Sequence, residues 1–129
     1  MTATDQAVER IRTAATAAAD KLATDLRAFD VSEQLAITDA FLLATASNER
    51  QIGAVVDEIE GRLRQIGAKP IRREGERDGR WVLIDYGDIV VHVQHSEERE
   101  FYALERLWRD CPVIDLPDSG SDSGSDSGQ

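Results

Sequence analysis

The chain has 129 residues, a single cysteine (Cys111) and a formal net charge of -10. That length predicts one domain with a core large enough to need no disulfide or metal, and one cysteine excludes a disulfide framework within a monomer. Three of the negative charges, Asp118, Asp122 and Asp126, fall near the end, leaving -7 on residues 1–117; an acidic domain is repelled by phosphate backbones and attracted to basic proteins, which disfavours direct DNA or RNA binding.

The N-terminus has no continuous apolar segment of the secretory kind, and Asp5, Glu9 and Asp20 argue against a mitochondrial targeting helix. The longest apolar run, Ala40 to Ala44, is far too short to span a bilayer. The cytoplasm is the expected location, with no membrane partner.

In chain order, Thr4 to about Leu22 reads as a helix. Val8, Ile11, Ala15, Ala18 and Leu22 recur at alternating steps of three and four. The stripe is alanine-rich, so it supplies helix propensity more than buried area. Asp25 to Val31 is ambiguous on its own: Leu26 and Phe29 fit a continuing helical stripe as well as a short strand. Asp39 to Ala46 contains the run Ala40-Phe41-Leu42-Leu43-Ala44 bounded by polar residues, which suits a strand buried on both faces. Ile52, Val55, Val56, Ile59, Leu63 and Ile66 then form one helical stripe. Asn48 with Gln51 three residues on resembles a capping box, Ser47 is a rival cap, and Gly67 stops the helix.

Pro70 and a charged loop to Gly79 follow. The loop region carries Lys69, Arg72, Arg73, Arg77 and Arg80, diluted by Glu74, Glu76 and Asp78, and reads as solvated rather than as an RNA contact. Trp81 to His92 reads as a tight β-hairpin turning at Gly87-Asp88, a pair that tolerates the positive φ of a two-residue turn. If Tyr86 faces Ile89, parity is fixed. One face then carries Val82, Ile84, Tyr86, Ile89, Val91 and Val93, an ordinary core. The other carries Trp81, Leu83, Asp85, Val90, His92 and Gln94. That mixture suits a docking surface, and equally a face lying under a helix with its polar groups satisfied locally.

A last helix is expected from about Glu97 to Asp110, capped by Ser96, with Phe101, Leu104, Leu107 and Trp108 as its buried stripe. Arg99 and Tyr102 lie off that stripe. Residues 118–129 contain no aliphatic or aromatic side chain and are expected to be a disordered tail. The order implies an α/β fold: a mixed sheet with helices packed on it.

Catalytic signals are missing. Asp85 and Asp88 are three apart, on opposite sides of a strand, and Asp88 belongs more naturally to the turn. His92 and His95 share that spacing, and a zinc site would need further ligands. There is no glycine-rich phosphate loop before the Ile52 helix, no Gly-x-Ser-x-Gly elbow and no nucleophile–base pair. No catalytic residue, metal or cofactor is expected.

The string Trp81-Val82-Leu83-Ile84-Asp85-Tyr86-Gly87-Asp88-Ile89-Val90-Val91-His92 resembles the signature of the ribosomal silencing factors, also called Iojap-like proteins. So do Arg99 to Trp108, Asp39 to Thr45, Arg50-Gln51, Asp57 to Glu60 and Glu74-Gly75. The resemblance covers roughly residues 8 to 110. Ala40, Ala46 and Gln94 depart from it, standing where an aromatic, a glycine and a phenylalanine are common. The resemblance implies a nucleotidyltransferase-like fold without that fold's catalytic residues, and a strand at Asp25 to Val31. Residues 1–117 read as a single domain by length, and the resemblance implies that it binds the large ribosomal subunit through its fourteenth protein. Such a factor blocks joining of the small subunit sterically and represses translation when nutrients are scarce, without turnover. Self-association of the free protein as a homodimer is a further implication. The partner-binding residues expected are Trp81 as anchor, Leu83 beside it, Asp85 and His92 as polar contacts, and Arg99 and Tyr102 from the last helix. The alternative is a nucleotidyltransferase-like enzyme or nucleotide-binding protein.

Overall fold

The computed structural model describes residues 3–75, 80–98, 108 and 110–116. The elements follow as α1 (Asp5–Asp20), β1 (Thr24–Asp30), β2 (Ala40–Ala46), α2 (Glu49–Gln65), β3 (Arg72–Glu74), β4 (Trp81–Asp85) and β5 (Ile89–His95). The strands form one sheet in the order β1-β2-β5-β4-β3. β2 and β5 run parallel and the other neighbours antiparallel, so the sheet is mixed, as the sequence predicts.

Both helices pack on one face of this sheet. Ala7, Ile11, Ala14, Ala15, Ala17 and Ala18 of α1 and Ile52, Val55, Val56, Ile59 and Leu63 of α2 share a core with Leu42, Val82, Ile84, Tyr86, Ile89, Val91 and Val93. Ile11 is the one large side chain among those α1 residues. The rest of that contact is alanine, which buries little area per residue but lets the helix approach closely.

The ends of both helices are set by side chains. Thr4 is the N-cap of α1, its hydroxyl accepting the Ala7 N–H at 3.1 Å. At the other end Leu22 adopts φ +69°, the left-handed conformation usually given to glycine. That bend closes the helix through Ala23 N–H to the Ala18 carbonyl. It also throws Leu22 into solvent, so Leu22 does not continue the apolar stripe. Asn48 caps α2 by accepting the Gln51 N–H at 2.8 Å. Gln51 does not complete a reciprocal box. Its carbonyl oxygen accepts from Ser47 N–H and hydroxyl, and its amide donates to the Lys21 and Leu22 carbonyls, tying the α1–β1 turn to the start of α2. Ile66 is likewise exposed beyond the end of α2, next to Gly67 at φ +88°.

Two segments are more ordered than their sequence suggests. Part of the charged loop forms β3, pairing with β4 in the register Arg72 with Asp85 and Glu74 with Leu83. Residues 112–114 cover the opposite edge. Asp30 N–H donates to the Pro112 carbonyl at 2.8 Å, Ile114 N–H donates to the Ala28 carbonyl at 2.9 Å, and Phe29 bridges Val113. Cys111 and Ile114 are buried there, and Arg12 of α1 donates to the Asp115 carbonyl at 3.0 Å.

Residues 96–98 are helical, at the start of the span expected for the last helix, but Trp108 and Asp110 lie in a turn closed by Cys111 N–H to the Trp108 carbonyl at 2.9 Å, so the helix does not reach Asp110 as expected. Ser96 lies within the helical residues 96–98. The capping acceptor is His95, whose Nδ1 takes the Glu97 N–H at 3.1 Å. Phe101, Leu104 and Leu107 of the expected stripe, and the expected disordered tail, lie outside the described residues. Among those described, no helix is long and apolar enough to cross a membrane.

Candidate docking surface

The hairpin turn fixes everything that follows on the sheet. Tyr86 N–H donates to the Ile89 carbonyl at 2.9 Å, and Gly87 takes φ +90°, where a side chain would be strained. Asp85 Oδ1 accepts the Gly87 N–H at 2.8 Å. Asp88 pairs with Arg10 of α1 through both carboxylate oxygens at 3.0 Å, and its carbonyl accepts from Asp39 and Ala40. Asp88 therefore locks the turn to α1 and to the start of β2.

With the turn locked, Trp81 pairs with Gln94, Leu83 with His92, and Asp85 with Val90. Val82 and Val93 pair on the opposite side of the hairpin, as do Ile84 and Val91. The predicted parity holds. The parallel register extends the first face across β2, where Phe41, Leu43 and Thr45 stand beside Val90, His92 and Gln94. This is the face opposite α1 and α2. A second, smaller apolar cluster lies on its β1–β2 side: Phe29, Val31, Leu43 and Cys111, with Leu35, Phe41 and Trp108 partly buried around them.

An aromatic row crosses it. Trp81 and His92 have ring centroids 6.2 Å apart, His92 and Phe41 5.4 Å apart edge to face, and Phe41 and Trp108 4.9 Å apart edge to face. Trp81 Nε1 donates to His92 Nδ1 at 3.3 Å. Sequence alone does not assign Phe41 to this face. In a run apolar on both faces, only the parallel pairing with β5 tells which side it joins.

The expected contact residues are brought together unequally. Trp81, Leu83 and Asp85 are partly exposed. His92 is 8% exposed, and burial pushes its pKa down to about 4, so the imidazole is neutral near pH 7. Asp85 bonds the turn with one oxygen and Arg72 with the other, at 3.2 Å. Both polar groups expected to meet a partner are thus already engaged within the protein. Arg99 and Tyr102 lie outside the described residues.

The rim is charged but internally balanced. Arg72 also reaches Glu74 at 2.6 Å, Arg73 reaches Glu60 of α2 at 3.2 Å, and Arg80 reaches Glu97 at 2.8 Å and Glu98 at 3.1 Å. These arginines do not form an unopposed basic patch of the kind that grips phosphate. Among the described residues, no group of three His, Cys, Asp or Glu side chains is placed to hold a metal.

Gln94 is the misfit of this face. It is fully buried, and among the described residues neither amide atom has a hydrogen-bond partner. An orphaned buried amide costs free energy that an apolar side chain of similar volume would not. Gln94→Met should raise the unfolding free energy by about 1 kcal/mol, measured by urea denaturation. A loss of stability would show that the amide is satisfied in solution.

Residues 4–129 match the family model described as "Ribosomal silencing factor during starvation". A ribosomal silencing factor from Bacillus subtilis is 40% identical over 106 residues, covering 82% of this chain and 90% of that protein. The chloroplastic protein Iojap of Zea mays is 35% identical over 106 residues, covering 80% of this chain and 45% of that longer protein. Among solved structures, one from Chromobacterium violaceum superposes with a TM-score of 0.75 at 30% identity, covering 84% of this chain and 92% of that one. Another, from Bacillus halodurans, gives 0.73 at 37% identity, covering 84% and 98%.

Proposed function

The chain belongs to the ribosomal silencing factor family, and from that premise we propose that it binds the large ribosomal subunit through that subunit's fourteenth protein. It does so with the sheet face that carries Trp81 and Leu83, and while bound it blocks joining of the small subunit. Translation is repressed by occupancy of a surface, with no chemical step and no cofactor.

The observation that carries this reading is the partly exposed Trp81–Leu83 pair on the sheet face opposite both helices, continuous with the partly buried rings of Phe41 and Trp108. Partly exposed aromatics beside aliphatics make the anchors of protein interfaces. The net charge of -10 favours a basic protein partner over ribosomal RNA. Because Asp85 and His92 are engaged internally, their role is to shape the face, and affinity rests on apolar contact.

Cosedimentation tests the reading directly. The protein should travel with isolated large subunits, be absent from joined ribosomes, and lower the yield of joined ribosomes when added before the small subunit. Trp81→Ala should weaken large-subunit binding by about 2 kcal/mol, roughly 30-fold, with an unchanged circular dichroism spectrum. Unfolding of that variant would make Trp81 a core residue, and wild-type binding by a folded variant would move the docking surface elsewhere.

A further inference from the structure

We propose that His92 is a positioning residue of this face: it accepts the Trp81 indole N–H and fixes the ring before a partner arrives, so that the partner's receiving pocket is apolar and offers no acceptor. The proposal rests on the reading of Trp81 as the docking anchor.

An indole nitrogen is a donor only. Trp81 is partly exposed, and its indole N–H is spent on the His92 imidazole. What the bond adds is orientation. A tryptophan side chain has several staggered rotamers. Holding its N–H on a fixed acceptor selects one.

The acceptor is itself immobile. His92 lies in β5, between β2 and β4, paired with Leu83 on one side and beside Leu43 on the other. The Phe41 ring meets it edge to face. For Nδ1 to accept, the proton must sit on Nε2, which fixes the neutral tautomer. With its N–H turned onto His92, Trp81 has no polar atom left for a partner. Recognition of the ring is then by shape and apolar contact, and a pocket with a buried acceptor would be left unsatisfied.

The test uses the full chain labelled with 15N at the indole and imidazole nitrogens, with Trp108→Phe assigning the two indole signals. In the unaltered chain His92 should be the neutral Nε2–H tautomer; a proton on Nδ1 would overturn the proposal without any variant. His92→Leu removes the acceptor, while His92→Asn places an amide oxygen near the position of Nδ1. The Trp81 indole proton should exchange with water about tenfold faster in His92→Leu. Affinity for isolated large subunits should fall roughly two- to tenfold, the cost of ordering one free side chain on binding. His92→Asn should restore both to within about twofold, which a merely structural role for the imidazole would not produce. Wild-type exchange and affinity in His92→Leu would overturn the proposal, as would an Asn variant that behaves like the Leu variant. Normal binding by Trp81→Ala would overturn the docking reading instead, and the exchange comparison would still decide whether His92 holds the ring.

Discussion

Ending the chain after Asp110 should lower the unfolding free energy by roughly 3 kcal/mol, while ending it after Leu116 should leave stability nearly unchanged. The difference lies in six residues that run along the β1 edge, joined to it by one isolated bridge and two backbone hydrogen bonds. Ile114 is 9% exposed and belongs to the main core with α1, and Cys111 is buried in the smaller cluster on the docking side. Loss of a buried isoleucine alone is worth roughly 2–5 kcal/mol. Truncation also takes the Pro112 carbonyl from Asp30 N–H and the Ile114 N–H from the Ala28 carbonyl. β1 would then present an open edge, the template for pairing between chains. The short form should therefore scatter light on storage where the form ending at Leu116 does not. Urea denaturation of the two truncations decides the matter. Equal stabilities would mean that residues 111–116 merely rest against β1. The prediction for residues beyond 116 comes from composition: a Ser-Gly-Asp repeat has nothing apolar to bury, so removing it forfeits little.

How far this architecture can be read from sequence differs by element, for physical reasons. The hairpin was legible because two independent signals agree: period-two alternation and a Gly-Asp turn that fixes parity. The register bears this out pair by pair from Trp81 with Gln94 to Asp85 with Val90. α2 was legible from its stripe and cap, though Ile66 falls past the last turn and points to solvent. β1 was not legible from its residues alone. Seven residues fit either period, and the resemblance to the family supplied the strand. β3 was hidden because an edge strand of Arg72, Arg73 and Glu74 carries the charges that protect edges, and such a run reads as loop. The segment 112–114 that covers the other edge is not legible because its partner β1 is over eighty residues away. On the docking face, the members of the Trp81, Leu83, Asp85 and His92 set could be named from parity. Their division of labour could not. That Asp85 belongs to the turn and Arg72, and His92 to Trp81, follows from distances alone.

Acid should destabilise the protein through His92, by about 3 kcal/mol between pH 6.5 and pH 4. The imidazole is held neutral in the folded state by burial, with its pKa pushed from the ordinary 6.5 down to about 4. In the unfolded chain it titrates normally. The unfolded state therefore binds a proton below pH 6.5 that the folded state refuses until about pH 4, and stability falls as pH drops through that window. Above pH 6.5 both states are neutral and the contribution is flat. Below about pH 4 both are protonated and no further loss comes from this residue. Because the folded state is itself half protonated at pH 4, the loss over this window is about 3 kcal/mol and slightly short of its full value. Carboxylates begin to titrate in the same range, so the measurement is a difference. Urea denaturation of the wild type and of His92→Asn at pH 7 and at pH 4 should show the wild type losing about 3 kcal/mol more than the variant. Asparagine does not titrate and keeps an acceptor near Trp81, so the comparison isolates the proton. Equal losses would mean that His92 takes up its proton at an ordinary pH in the folded protein, which a side chain sealed between Leu43, Leu83, Phe41 and Trp81 should not do.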